Sequence, residues 1–291
     1  MQSSQGGMMM ASSEWRIGFN IHPRWIDGSD LTTFLRPMRA AGLSSLEFEL
    51  DDHLERWDAF QPLMETAVEN GLALSFHAPY RQPHSILGFS GDRRATIEQD
   101  YSPLLQIAQS WAERLGHPCP VVFHAAMSPQ PYPANALVVD TIAFLRWVCV
   151  TFPNLLVALE NNHPPVGQQV KVGVNLADVL AITDQVGGSQ VGVCWDLGHD
   201  FLRHIDQPPP LPWLERVVHA HVHDVDDGGL DHYPLIFGNV PVARWLRALR
   251  AVSSKGTVVL EIKGENLRNW SSKRIMEALS SSIAEITGVM R

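Results

Sequence analysis

Six side chains able to ligate a cation recur along the chain: His77, His124, Glu160, Asp196, His221 and Glu261, at successive intervals of 47, 36, 36, 25 and 40 residues. Each lies at the end of a short apolar run, in the segments SFHAPY, VVFHAA, VALENN, VCWDLGH, VVHAHVHD and VVLEIKGE. A strand–helix unit takes about 30 residues or more, so the intervals suit one unit each. Carboxylates brought together at such strand ends would repel one another without a compensating charge. Imidazole nitrogen and carboxylate oxygen are the usual ligands of divalent metals, so a shared metal is the chemistry these residues suggest.

The seventh run adds His219 and His223, which share a side with His221 because strand residues alternate with period two. One or two of the three can reach a metal, and His219, the deepest, is expected to pack in the interior; the residues alone do not choose between His221 and His223. His199, three residues past Asp196, is placed to be a second ligand or a substrate contact. His232 falls in the segment DHYPLIFGNV, a loop that could cover the site. Cys194 shares the inward face of Asp196 one layer down and is expected simply to pack. Lys263, two beyond Glu261, is a rim lysine within reach of a substrate. His22, His84, His163 and His204 have no nameable partner and read as ordinary exposed histidines.

These residues require a frame of alternating strands and helices. Strands are expected at 16–22, 45–50, 72–77, 121–124, 155–160, 191–196, 217–223 and 257–262. Helices are expected at 31–41, 54–70, 93–115, 135–150, 176–186, 242–252 and 272–286, with a short one around 201–205. Nearly apolar strands alternating with helices indicate a parallel sheet covered by helices. No GxGxxG or GxxxxGK[ST] loop follows any strand, which removes the phosphate-cradling open sheets. The expected fold is an α/β single (β/α)8 TIM barrel over 14–291, for which 291 residues suffice. Residues 1–13 are polar, lack a signal-peptide pattern and read as a flexible tail.

Composition narrows the partners. Three cysteines without a CxxC pair argue against a disulfide framework and make a cytoplasmic setting the default. The net charge of −9 gives no bulk attraction for a polyanion, and only Arg81, Arg93 and Arg94 cluster near a strand-end loop. No apolar run approaches the roughly 20 residues of a membrane helix, so no membrane partner is expected. A homo-oligomer is left open.

On the segments HAPY, FHAA, LENN, DLGH, HVHD, DHYPLIFG and LEIKGE, in that order, the chain resembles the xylose isomerase-like TIM barrel superfamily, which includes endonuclease IV (AP endonuclease family 2) and the sugar isomerases and epimerases. The resemblance spans strand one to strand eight. It implies a core divalent metal (zinc, manganese, magnesium or cobalt) held by Glu160, Asp196, His221 and Glu261. The His221-x-x-Asp224 spacing is similar to the family's strand-seven motif and favours His221 over His223. The endonuclease branch implies up to three ions, a second through His77 and His124 and a third through His199 and His232. That branch carries an Asp-x-His in the loop, whereas here Leu230 stands two before His232 and Asp231 one before. Ile236 likewise replaces a glycine, while Gly238 is kept.

Two chemistries follow. In a sugar, sugar-phosphate or polyol isomerase or epimerase, Glu160 and Glu261 would pass a proton through a metal-stabilised enediolate, with His199 holding a substrate hydroxyl. His223, Lys263 and Asp231 would bind the substrate, a small carbohydrate. In the alternative, an endonuclease IV-like phosphodiester hydrolase, several metals would act on abasic DNA, and only then is nucleic acid a partner. The acidic total favours the carbohydrate.

Overall fold

Small or polar residues alternate with large apolar ones along the strands, and the topology gives each set a side. The computed structural model describes residues 15–21, 31–49, 57–80, 84–252 and 255–291. The expected tail at 1–13, His22, the first residues of the helix expected from 54, and Arg81 lie outside the described residues. The strands are β1 (Trp15–Ile21), β2 (Ser45–Glu49), β3 (Ala73–His77), β4 (Cys119–His124), β5 (Met127–Ser128), β6 (Leu155–Glu160), β7 (Val170–Lys171), β8 (Val191–Asp196), β9 (Val217–Val222) and β10 (Gly256–Leu260). All but β5 and β7 close into one parallel eight-stranded barrel in chain order, β10 pairing back onto β1. With the helices around it this is the expected (β/α)8 barrel.

The helices are α1 (Leu31–Ala40), α2 (Trp57–Glu69), α3 (Arg94–Leu115), α4 (Ala134–Thr151), α5 (Leu176–Val186), α6 (Leu197–Leu202), α7 (Leu211–Leu214), α8 (Val242–Val252) and α9 (Ser272–Met290). Their starts follow local chemistry. The Asn175 side chain accepts from the Asp178 amide to cap α5, and Ser271 accepts from Arg274 to cap α9, each satisfying an amide the first turn would leave unpaired. By length and hydropathy α4 could cross a membrane. It instead presses Leu137, Phe144, Leu145 and Val148 into the core beside α5 and β6.

Outward-facing Phe48, Phe76, Phe123, Leu159, Trp195 and Leu260 belong to the large apolar cluster between strands and helices. A second, small cluster of Val122, Ala158 and Cys194 holds the alternate positions. The interior above it is reserved for polar side chains, at the face where barrel loops build active sites.

Three features depart from expectation. The short helix begins at Leu197, not near 201, because Asp196 caps it directly; a further turn, α7, follows the proline run. The antiparallel pair β5–β7 ties the loop after β4 to the loop after β6, Met127 opposite Lys171 and Ser128 opposite Val170. Finally, the β8–β9 register shifts by one residue between Val193 and Cys194, so that Cys194 pairs with His219 and Asp196 with His221.

Candidate metal centre

Glu160, at the end of β6, is buried and spreads its two oxygens over different partners. Oε2 lies 3.0 Å from His124 Nε2 and 3.4 Å from His77 Nε2. Oε1 lies 3.2 Å from His221 Nδ1 and 3.7 Å from His199 Nδ1. The other nitrogen of each of three rings is already committed. His77 Nδ1 donates to the Ala78 carbonyl (3.1 Å), His124 Nδ1 to Asn162 Oδ1 (2.6 Å) and His221 Nε2 to Glu47 Oε1 (2.9 Å). Those acceptors cannot donate, so one hydrogen of each ring is placed, and the remaining nitrogen of each faces Glu160, free to ligate a cation once it carries no proton.

One ligand atom each from Glu160, Asp196, His221 and Glu261 lies within 4.8 Å of the others, all four residues buried. Two further sets meet the same limit among the described residues at this face: Asp196, His199, His223 and His232, and His77, Glu160 and His221. His124 enters no such set, but its Nε2 and that of His77 both face Glu160 Oε2. The loop position Asp231 lies 2.9 Å from His232 Nδ1 and outside the second set; Asp196 and His223 stand there instead. Below the floor, Cys194, His219 and His221 also approach within 4.8 Å, with Cys194 packed against Val122 and Ala158.

Local sequence explains the precision of β8 and the turn after it. Asp196 Oδ1 accepts from the His199 amide (2.7 Å), fixing the carboxylate at the helix start. Asn161 Oδ1 accepts from the Asp196 amide (2.7 Å), and the Asn161 carbonyl lies 2.9 Å from His199 Nδ1. His223 Nδ1 accepts from the His232 amide (3.0 Å), which leaves hydrogen on Nε2, 3.2 Å from Asp196 Oδ1. His223 therefore acts on Asp196. Asp224, next along, accepts from the amides of Val225, Phe237, Gly238 and Val240, pinning the loop that carries His232. Gly238 sits at φ +74, a conformation most side chains resist, which accounts for the glycine kept there.

The donor set suits a divalent cation. Burial pushes the carboxyl groups of Glu160, Asp196 and Glu261 up, but the surrounding histidines outweigh it and hold all three below the usual range. The compensating protons go to imidazoles. Despite burial, Glu160 lifts His77 to about 9, and Glu261 with Asp231 lifts His232 to about 10. His199 is pushed by burial down to about 4. Glu261 Oε2 is buried without a hydrogen-bond partner, although His221 Nδ1 and His232 Nε2 each lie 3.3 Å away. An orphaned acceptor among ring nitrogens, within a group of buried carboxylates, is the chemistry of a cation site.

Above this floor opens a cavity of about 380 Å³, with His124, Glu160, His199, His232 and Glu261 at its base. Tyr80, His163, Lys171, Asp231 and Lys263 are in its wall. Tyr80 stacks on His124 with ring centroids 3.9 Å apart. Lys263 Nζ donates to Asp231 Oδ1 (3.1 Å), and Lys171 Nζ to the His163 carbonyl (3.2 Å). His163 was expected to be an unremarkable exposed residue; it is instead partly buried and faces Asp231 at 3.9 Å, because the β5–β7 pair folds its loop over the site. His84 is likewise not freely exposed, its Nδ1 being buried, while His204 is exposed. Arg93 donates to the Leu87 carbonyl and Arg94 to Glu98, so neither is offered to the cavity.

Sequence reasoning left out Glu47, Asn161, Asn162, Tyr80 and Lys171. Glu47 carried a signal: a carboxylate at the centre of SLEFEL shares the parity of Ser45 and Glu49, away from the apolar Leu46 and Phe48. The two asparagines stand in the quoted LENN segment, where their amides brace His124 and Asp196. Tyr80 and Lys171 depend on loop folding and left no periodic signal.

A family model described as xylose isomerase-like TIM barrel matches residues 35–284. No curated protein matches the chain. Among solved structures, D-psicose 3-epimerase with D-tagatose from Clostridium cellulolyticum H10 is similar at a TM-score of 0.71 and 14% identity, over 95% of this chain and 99% of that one. D-allulose 3-epimerase from Methylomonas sp. in complex with D-allulose gives 0.67 and 14%, over 96% and 98%. The 3-keto-D-glucoside 4-epimerase from E. coli gives 0.64 and 17%, over 94% and 100%. At these identities the likeness concerns the fold.

Proposed function

The chain belongs to the xylose isomerase-like TIM barrel family, and from that premise we propose that it is a divalent-metal-dependent isomerase or epimerase of a small sugar or sugar derivative. The observation that carries the reading is the pair of carboxylates flanking one imidazole nitrogen: Glu160 Oε1 and Glu261 Oε2 stand 3.2 and 3.3 Å from His221 Nδ1, at the floor of the cavity. Structures of related fold include enzymes that epimerise ketoses and keto-glycosides, which supports a carbohydrate substrate by analogy of fold.

Glu160, Asp196, His221 and Glu261 would hold the cation. When bound, it would polarise adjacent carbonyl and hydroxyl oxygens of an α-hydroxycarbonyl compound and so acidify the C–H between or beside them. Glu160 and Glu261 would then remove and return that proton, passing through an enediolate. His199, whose ring burial keeps unprotonated and whose Nδ1 hydrogen goes to the Asn161 carbonyl, would accept from a substrate hydroxyl at Nε2. Asp231, Lys263, His163 and Lys171, in the wall, would bind the far end of the substrate, and the Tyr80 ring offers an apolar face. His223 braces Asp196.

A phosphodiesterase draws support from the set Asp196, His199, His223 and His232, a place for another ion. Against it, Arg93 and Arg94 are spent elsewhere, and a wall with two lysines, one paired with Asp231 and the other with the His163 carbonyl, gives a DNA backbone little to hold. The test is hydrogen exchange. Metal-loaded protein incubated with ketoses and aldoses in heavy water should place deuterium on the carbon beside the carbonyl of at least one, and Glu261→Gln should abolish it. Metal-dependent cleavage of an abasic-site duplex at low salt, with no deuterium uptake by any sugar, would reverse the order of the two readings.

A further inference from the structure

Glu47 lies on β2, on the far side of the barrel interior from β9, and is fully buried. Both of its oxygens are assigned. Oε2 accepts from Ser75 Oγ on β3 (3.1 Å) and lies 2.8 Å from His219 Nε2. Oε1 is 2.9 Å from His221 Nε2. A carboxylate there replaces the small apolar side chains that fill the same interior at Val122, Ala158 and Cys194. Burying a charge carries a large desolvation cost, and well-packed apolar residues in place of buried ion pairs are often neutral or stabilising. Stability alone therefore gives Glu47 no reason to be there.

The geometry points to Glu47 as a positioning residue for the candidate metal centre: by accepting the Nε2 hydrogen of His221 across the barrel interior, it fixes the ring and presents Nδ1 to the space between Glu160 and Glu261. Only a hydrogen on Nε2 satisfies the 2.9 Å contact, and a neutral ring with that hydrogen has its lone pair on Nδ1. Ser75 holds the carboxylate so that Oε1 is left for His221. Such an outer partner sets a ligand's tautomer and orientation, and its loss typically costs about 10–100-fold in metal affinity. The inference rests on the metal-centre part of the proposed function and is independent of the sugar chemistry.

The test compares full-length wild type, Glu47→Gln and Ser75→Ala. Zinc affinity is measured by chelator competition, and the state of His221 by its ring nitrogen-15 shifts in zinc-loaded protein. In wild type, Nε2 should carry hydrogen and Nδ1 should be the metal-bound nitrogen. Glu47→Gln can turn its amide donor toward His221 and favour the wrong tautomer, so its affinity should fall about 10–100-fold. Ser75→Ala keeps the carboxylate but loosens it and should show a smaller loss in the same direction, which covers the case of a Gln variant that does not fold. Zinc affinity unchanged in both variants would overturn the role of Glu47 while leaving the metal centre standing. So would a wild-type His221 bound through Nε2, whatever the variants do. Wild-type protein that takes up no divalent metal would instead remove the proposed function, and this inference with it.

Discussion

A Cβ on residue 198 would stand 1.9 Å from Cε1 of His223. The first turn of α6 and the end of β9 approach so closely that only glycine fits, and through this gap His223 reaches Asp196 at 3.2 Å. The glycine of DLGH is therefore part of the site's support. Gly198→Ala should displace His223, release Asp196 from it, and cost about 1–3 kcal/mol of stability by overpacking. Metal affinity should fall about tenfold or more, by analogy with other outer-partner losses. Thermal unfolding and metal titration check both; a variant with wild-type affinity would mean that His223 does not support Asp196.

Metal content and turnover should fall together in Glu160→Gln and in Asp196→Asn. Loss of a supporting residue costs about 10–100-fold in affinity, so loss of a proposed ligand should exceed that range. Elemental analysis of purified protein, paired with the exchange assay, reads both. Full occupancy and full turnover in either variant would exclude that residue from the centre.

The number of ions is open to direct measurement. Anomalous scattering at a metal edge should show a peak among Glu160, Asp196, His221 and Glu261. A second peak, if the endonuclease-like set operates, belongs among Asp196, His199, His223 and His232. A peak between His77 and His124, whose ring nitrogens both face Glu160 Oε2, would instead mark the second ion that the endonuclease branch implies.

Metal uptake should release protons. In metal-free protein the folded-state values of His77 and His232 are raised from the ordinary 6.5 to about 9 and about 10. The stability these protons contribute is fully present below about pH 6.5 and is lost as pH rises through 9 to 10. Metal affinity should move the other way, tightening over the same window as the competing protons leave. Calorimetric titration near pH 7.5 in buffers of different ionisation enthalpy should report net proton release. Melting of the chelated protein should fall between pH 6.5 and 10, less steeply in His77→Gln. Buffer-independent heats would count against protonated imidazoles at the centre.

Asp224 predicts a graded effect. Its Oδ1 accepts from Val225 and Val240, and its Oδ2 from Phe237 and Gly238. Asp224→Ala strands four amides and should cost about 3 kcal/mol, since hydrogen bonds to a charged group contribute about 1.5–3 kcal/mol each and do not simply add. Asp224→Asn keeps one acceptor oxygen and should cost about half as much. Urea unfolding measures the difference, and faster proteolysis within 225–240 should accompany it.

The sequence by itself determined the barrel and the chemical types at its mouth. Strand periodicity is local, so Glu160, Asp196 and Glu261 could be placed at strand ends from their own segments. Parity within 217–223 likewise put His219, His221 and His223 on one side. What the sequence left open was how neighbouring strands match. Carried on unshifted from Val193 beside Val217, the β8–β9 pairing would set Asp196 beside Ala220 and turn His219 and His221 toward the helices. The one-residue shift between Val193 and Cys194 sets Asp196 beside His221 instead. A bulge of this kind is an inter-strand event that alternation within one strand does not report. The same holds for Glu47, whose carboxylate was visible in SLEFEL but whose partner His221 lies 174 residues away and across the barrel. Side-chain type and strand phase are properties of a segment; register and reach across the interior exist only once the barrel has closed.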